Sequence, residues 1–413
     1  MQRRQLLASS LTLPLAWGSA RLHAAGTKTP RLLFVFLRGG YDAASLLVPI
    51  SSSFYYESRP DIAIAKPSPE LASALPLTSD WGLHPALRDS MYPLYQSGEL
   101  LWVPFAGTDD LSRSHFETQD SIELGQALDG HKNFNSGFLN RLAAAVSGSA
   151  PMAFTDQLPV ILQGTVRVPN TSLRSLARPS IDARQSDIIA SMYRPTRLSS
   201  QVQEGFTVRN EVMREMAAEM DAASRNSITA KGFEMEARRI GKLMKESYNI
   251  CFVDIGGWDT HVGQGGATGY LANRFDELGR GLAALPQELG AAWKDTTVVV
   301  MSEFGRTFRQ NGNRGTDHGH GSVMWIMGGS VRGGRLAGEQ VAVGKTTLFQ
   351  DRDFPVLNDY RAVLGGMFGR QFGLSKDALA GVSRAPESRT SAFFDSVTMR
   401  GQPTSQDAVC THG

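Results

Sequence analysis

The sequence predicts an α/β protein with a mainly parallel central sheet, flanking helices and a helical insertion. Three observations predict it. Short, largely apolar runs recur along the chain, each run enters a glycine-rich or polar loop, and helical patterns lie between successive runs.

In chain order, the first segment is an address rather than part of the fold. Arg3 and Arg4 precede an apolar run from Leu6 to Trp17, followed by small residues at Gly18 to Ala20 and Ala24 to Ala25. This order predicts an export signal over residues 1–25, and the arginine pair beside a modestly apolar run favours the twin-arginine route. The expected partner is the twin-arginine export machinery, and the expected location is periplasmic or extracellular. The run is too short for a retained anchor, and no later window reaches the length of a membrane helix. No stable membrane insertion is therefore expected once the signal is removed.

Arg31 to Leu37 (RLLFVFL) follows as a strand buried on both faces and stopped by Arg38-Gly39-Gly40. Similar runs at Leu100 to Phe105, Asn249 to Ile255, Thr297 to Met301 and Val323 to Met327 are expected to join it in parallel. Helical patterns occupy Pro85 to Gln96, Ser136 to Val146, Tyr270 to Leu285 and Tyr360 to Phe368. Residues 165–247 are more polar, with a long helical pattern from Gln203 to Glu246, and predict a helical insertion in a domain spanning 31–385. Its methionines, Met213, Met216, Met220, Met235 and Met244, are expected to fill one helix face as core. Residues 386–413 predict a flexible tail.

With 413 residues, 41% of them hydrophobic, the chain can bury a large core, which excludes disorder as the default. A formal net charge of +2 implies neither a nucleic-acid partner nor a polybasic membrane patch. Cys251 and Cys410 make no disulfide framework, and neither reads as a nucleophile.

Histidine placement carries the functional reading. Six of the eight, His84, His115, His131, His261, His318 and His320, stand beside turn residues rather than inside apolar runs. Asp259 and His261, in Gly-Gly-Trp-Asp-Thr-His, follow the run that ends at Ile255. A carboxylate and an imidazole two residues apart in a loop can meet one ion, although an Asp cap with a hydrogen-bonded His is the bland reading. Glu303 stands at the end of the next run, followed by Asp317, His318 and His320 in Thr-Asp-His-Gly-His-Gly. Asp42 lies just beyond the first strand. Ligands bind outside the carboxyl ends of parallel strands, so these groups are expected to form one metal site. Gly39-Gly40 lacks the rest of a dinucleotide fingerprint. Ser114, then Ser112, is the candidate nucleophile in Ser-Arg-Ser-His-Phe-Glu, with His115 or a metal promoting its alkoxide; both serines are equally ordinary helix caps. Arg38, Arg113 and Arg306 are candidates to neutralise a tetrahedral anion, and His84 is a candidate substrate contact, with His131 weaker.

Together the segments FLRGGYDAAS, GLHPAL, SRSHFETQD, GWDTH, SEFGRT, GTDHGHG and NDYRAVLGGMFG resemble, in order and over most of the chain, the exported proteins of domain of unknown function 1501. That family is placed in the alkaline phosphatase-like superfamily. The resemblance implies an alkaline phosphatase-like core, one or two divalent ions such as Zn or Mn, and hydrolysis of an anionic small-molecule or polymer ester. By position, Asp42 matches the first Asp, Ser114 or Ser112 the nucleophile, Asp259 and His261 a later pair, Glu303 the strand-end acid, and His318 or His320 the final His. Two departures stand out. Phosphatases and sulfatases commonly have Asp-His where this chain has Glu303-Phe304, and the sulfatase Cys-Pro-Arg pattern is absent. Phosphate esters are thus expected before sulfate esters, and a non-catalytic exported binding or scaffold protein is the alternative.

Overall fold

A computed structural model describes residues 30–129, 131–172, 183–208 and 232–383. The expected signal (1–25), the tail (386–413), Cys410, Met213, Met216 and Met220 lie outside these residues.

The first strand, β1 (Arg31–Leu37), behaves as its composition demands. Leu33, Val35 and Leu37 enter one hydrophobic cluster, while Leu32, Phe34 and Phe36 enter another. A period of two with both faces apolar requires cover on both sides, and the chain supplies it. The helices Phe233–Glu246 and Tyr270–Leu289 cover one face, and Phe138–Ala145, Tyr360–Phe372 and Lys376–Val382 the other. The result is three layers, helix on sheet on helix.

The short strands β2 (Leu47–Val48), β3 (Leu75–Pro76) and β4 (Gly82–Leu83) form a small antiparallel sheet of their own. The central sheet adds β5 (Leu100–Gly107), β6 (Pro151–Ala153), β7 (Ile250–Ile255), β8 (Thr296–Ser302), β9 (Ser322–Met327), β10 (Arg335–Leu336) and β11 (Asn358–Asp359). Its order is β10-β5-β9-β8-β1-β7-β6, with β11 also pairing with β5. Register pairs Leu37 with both Ile255 and Ser302, so the loops after β1, β7 and β8 leave the sheet at one level.

One strand departs from the parallel expectation. β9 runs antiparallel to both β5 and β8. No helix separates β8 from β9, and a parallel return needs a crossover, usually helical. This reversal matters, because β9 begins at the edge where its neighbours β5 and β8 end and so carries His318 to that edge.

Two further differences concern helices. Pro85 to Gln96 divides into a 3-10 turn, Pro85–Leu87, and a helix, Met91–Gln96. Pro93 cannot follow a full turn of helix, because its ring would strike the carbonyl four residues earlier; the restart at Met91 leaves it in a first turn. Within the expected insertion, Ala183–Tyr193 and residues 199–208 are helical. Phe233–Glu246 instead belongs to the core, with Phe233, Ala237, Ile240, Leu243 and Met244 packed in the sheet-facing cluster and Met235 half-buried. No helix among the described residues is long and apolar enough to cross a membrane.

Candidate metal centre

Four loops meet at the shared edge of the sheet. After β5 the chain turns at residues 108–114 and enters the helix His115–Leu124, which places His115 in the first turn. The loop after β7 carries Asp259 and His261, the loop after β8 begins at Glu303, and the approach to β9 carries His318.

Three imidazoles converge on the Asp259 carboxylate. His261 Nε2 is 2.9 Å and His318 Nε2 3.3 Å from Asp259 Oδ1, and His115 Nε2 is 3.5 Å from Asp259 Oδ2. The Nε2 atoms of His261 and His318 are 3.1 Å apart. Each ring is held from behind through Nδ1, His115 by Glu303 Oε1 at 2.8 Å, His261 by Asp317 Oδ1 at 3.0 Å and His318 by the Arg113 carbonyl at 2.9 Å. A carbonyl can only accept, so His318 Nδ1 carries the proton and its Nε2 presents a lone pair. The carboxylates impose the same preference on the other two rings.

The electrostatics agree with that assignment at His318. Burial alone would raise the Glu303 carboxyl, but the hydrogen bonds from His115, Gln119 and the Gly39 N–H hold it below the usual carboxylate range. The Glu303 hydrogen bond raises the His115 pKa. Burial, with His115 and Arg306 close by, lowers that of His318. Asp259 is held low against the effect of its own burial by Arg306, which donates to Oδ1 at 2.5 Å.

A divalent cation fits this donor set. Around tetrahedral zinc, with bonds of about 2.0–2.1 Å, neighbouring ligand atoms stand roughly 3.3 Å apart. The three imidazole contacts to Asp259 and the His261–His318 contact span 2.9 to 3.5 Å, while the mutually close set is His115, Asp259 and His318, with His261 beside it. His115 Nε2 is buried with no hydrogen-bond partner among the described residues, and the ligand atoms of His115, Asp259 and His318 all lie within 4.8 Å of one another. A point ringed by lone pairs and a carboxylate calls for a cation, and mixed imidazole and carboxylate ligands suit Zn, Mn and related ions.

The family described as "Protein of unknown function (DUF1501)" matches residues 29–382. The chain belongs to this family. No curated protein matches it by sequence. Solved structures similar to this DUF1501 chain include a protein in the alkaline phosphatase superfamily from Vibrio parahaemolyticus, at 10% identity and a TM-score of 0.40, covering 86% of this chain and 69% of that one. Ps i-CgsB in complex with k-i-k-neocarrahexaose is similar at 10% identity and a TM-score of 0.38, covering 85% and 74%. A Bacteroides thetaiotaomicron protein from the metabolism of multiple glycosaminoglycans is similar at 9% identity and a TM-score of 0.31, covering 85% and 74%.

The other expected site residues of this DUF1501 chain take different places. Asp42 is 1% exposed; its oxygens accept from Arg59 at 2.5 and 2.9 Å, Ser45 at 2.7 Å and Gln264 at 2.7 Å. Its oxygens are taken up by these donors in an internal ion pair with Arg59. Glu303 and Asp317 lie behind the His115 and His261 rings, each against an Nδ1. His320 is buried with its ring 4.8 Å from that of Phe349. His84 is fully buried, accepting at Nδ1 from the Ala86 N–H and facing the Gly266 carbonyl through Nε2, so it makes no substrate contact.

Ser114 caps the His115–Leu124 helix, its hydroxyl accepting from the Glu117 N–H at 3.5 Å, and Ser112 meets Thr118 at 3.1 Å. Among the described residues, no hydrogen bond joins either hydroxyl to a base. The three arginines are also engaged: Arg38 with Glu123 and Asp254, Arg113 with Asp353, and Arg306 with Asp259. Gly39-Gly40 serves close packing rather than a phosphate. A Cβ on Gly39 (φ +123°) would stand 2.7 Å from the Asp259 nitrogen, and one on Gly40 would strike the Phe304 ring.

Residues without a signal of their own complete the centre. Phe304 lays its ring 5.0 Å from His115 and 5.2 Å from His318 and so walls both. Gln119 links Glu303 to Arg38. Phe116 and Val262, each directly after a converging histidine, are 84% and 70% exposed.

Proposed function

We propose that the chain is an exported, metal-dependent hydrolase of anionic esters, phosphate before sulfate, with one metal centre made by His115, Asp259, His261 and His318. The observation that carries this reading is the convergence of three Nε2 atoms on Asp259, each ring anchored through Nδ1. Such outer partners fix ring orientation and strengthen the ligand. A divalent ion there supplies Lewis acidity toward an ester oxygen and acidifies water.

The protein's part is positional. Glu303, Asp317 and the Arg113 carbonyl hold the rings, while Arg306, its side chain fully buried, holds the Asp259 carboxylate. Neither Ser114 nor Ser112 is placed against a base, which supports water rather than a side chain as the nucleophile. Export rests on Arg3, Arg4 and the apolar run behind them.

A second reading, a non-catalytic metal-binding protein, draws support from the pairing of Arg38, Arg113 and Arg306 with acids. Elemental analysis and a rate panel separate the two. Protein loaded with Zn or Mn is assayed on phosphomonoesters, phosphodiesters and sulfate esters, with Asp259→Ala as the control. Equal background rates in both proteins would sink the hydrolase reading, and a metal content near zero after loading would sink the metal centre.

A further inference from the structure

Arg113, expected to bind a substrate anion, is committed elsewhere in a way that bears on His318. Its backbone lies in the left-handed region at φ +51°, which is uncommon for a residue with a Cβ. Its guanidinium is clamped on buried Asp353, Nε at 3.0 Å and Nη2 at 2.8 Å from Oδ2, and Nη2 also donates to Gln350 Oε1 at 2.8 Å. In that conformation its carbonyl accepts the His318 Nδ1 proton at 2.9 Å.

The receiving loop is itself constrained. Gln350 and Asp351 are consecutive left-handed residues at φ +53° and +52°. Asp353 bridges to Thr307, whose N–H and hydroxyl pair with the backbone of Asp317, the residue before His318. One buried acid thus ties together the segment that orients His318 and the segment that carries it. Unfavourable backbone conformations persist only where the surroundings over-determine them, and they concentrate at functional sites.

We infer that Arg113 is a positioning residue: the Arg113–Asp353 clamp holds the Arg113 backbone left-handed so that its carbonyl fixes His318 with Nδ1 protonated and Nε2 turned to the metal. This rests on the reading of His318 as a ligand, but the tautomer is measurable without metal.

Two readouts test it. In the metal-free protein, nitrogen-15 NMR of the imidazoles is expected to show His318 protonated at Nδ1, with a shift toward the Nε2–H form in Arg113→Ala and Asp353→Asn. In calorimetric titration with Zn²⁺ and Co²⁺, both variants are expected to bind about 10–100-fold more weakly, the usual effect of losing an outer partner. Arg113→Gly, which keeps the carbonyl and adopts φ > 0 freely, is expected to recover much of the affinity lost in Arg113→Ala.

Wild-type affinity in Arg113→Ala, or no gain in Arg113→Gly over Arg113→Ala, overturns the inference. So does a His318 tautomer unmoved by both Arg113→Ala and Asp353→Asn. A wild-type protein that binds neither ion overturns the metal reading instead, and the NMR result then decides the role of Arg113 alone. Arg113 is partly exposed, so its variants keep the test open if Asp353→Asn does not fold.

Discussion

Glu303 accepts from His115 Nδ1 at 2.8 Å, across 188 positions of sequence. This pair exchanges the roles that the sequence suggests for its members. The strand-end acid stands behind the ring, and the histidine beside the candidate nucleophile turns its Nε2 toward Asp259. The same Glu303 oxygen accepts from Gly39 and Gln119, so the acid also ties β1 to the His115 helix.

Replacing Glu303 with Gln is expected to keep the fold and weaken Zn²⁺ binding by roughly 10–100-fold, because His115 loses its charged partner. Calorimetric titration of the stripped protein reads this. Unchanged affinity with a His115→Ala variant that also binds normally would remove His115 from the metal centre.

Asp42 and Arg59 are a buried pair, 1% and 0% exposed. Arg59→Met is expected to destabilise the fold by about 3–5 kcal/mol, since it leaves a carboxylate without its partner. Urea denaturation measures the loss, and metal content per folded molecule is expected to stay at the wild-type value. An Asp42→Asn variant of normal stability that had lost its metal would return Asp42 to the coordination sphere.

Burial pushes the His84 pKa down to about 4. Its Nδ1 already accepts the Ala86 N–H, so protonation there breaks a hydrogen bond inside the core. Unfolded histidine titrates near 6.5, so between those values the unfolded chain binds more protons and stability rises with pH. The stabilisation is fully present above pH 6.5 and is lost as pH falls to about 4, in all roughly 3 kcal/mol. Denaturation midpoints between pH 4.5 and 7 are expected to fall toward acid, with a flatter slope in His84→Asn. Parallel slopes would assign the acid sensitivity to other groups.

Phe304→Ala is expected to cost about 3–5 kcal/mol and to weaken metal binding as well, because the ring is 3% exposed and walls both His115 and His318. Thermal melts with and without Zn²⁺ separate the two effects. A loss of stability with unchanged metal affinity would limit Phe304 to core packing.

Much of the fold is legible in local sequence. Arg31–Leu37 reads as a two-faced strand because every residue after the first is apolar and the glycines stop it, and the structure pairs it in parallel on both sides. The direction of Ser322–Met327 is not legible, since an apolar hexapeptide looks alike in either sense and the path of the preceding loop decides it. The clustering of Asp259, His261 and His318 follows from their position at strand ends. Asp42 has the same signal and a different fate, because Arg59 reaches it first.

By itself, then, the sequence determined which segments are strands, that their polar ends share one edge, and which residue types gather there. Those properties depend on hydrophobic period and loop chemistry, both local. Only the tertiary structure decided which acids face the converging imidazoles and which stand behind them, that the Arg113 carbonyl meets His318, and that Phe304 is a wall. These roles turn on differences of about an ångström between groups up to hundreds of positions apart, because hydrogen bonds and metal bonds weaken steeply beyond contact distance.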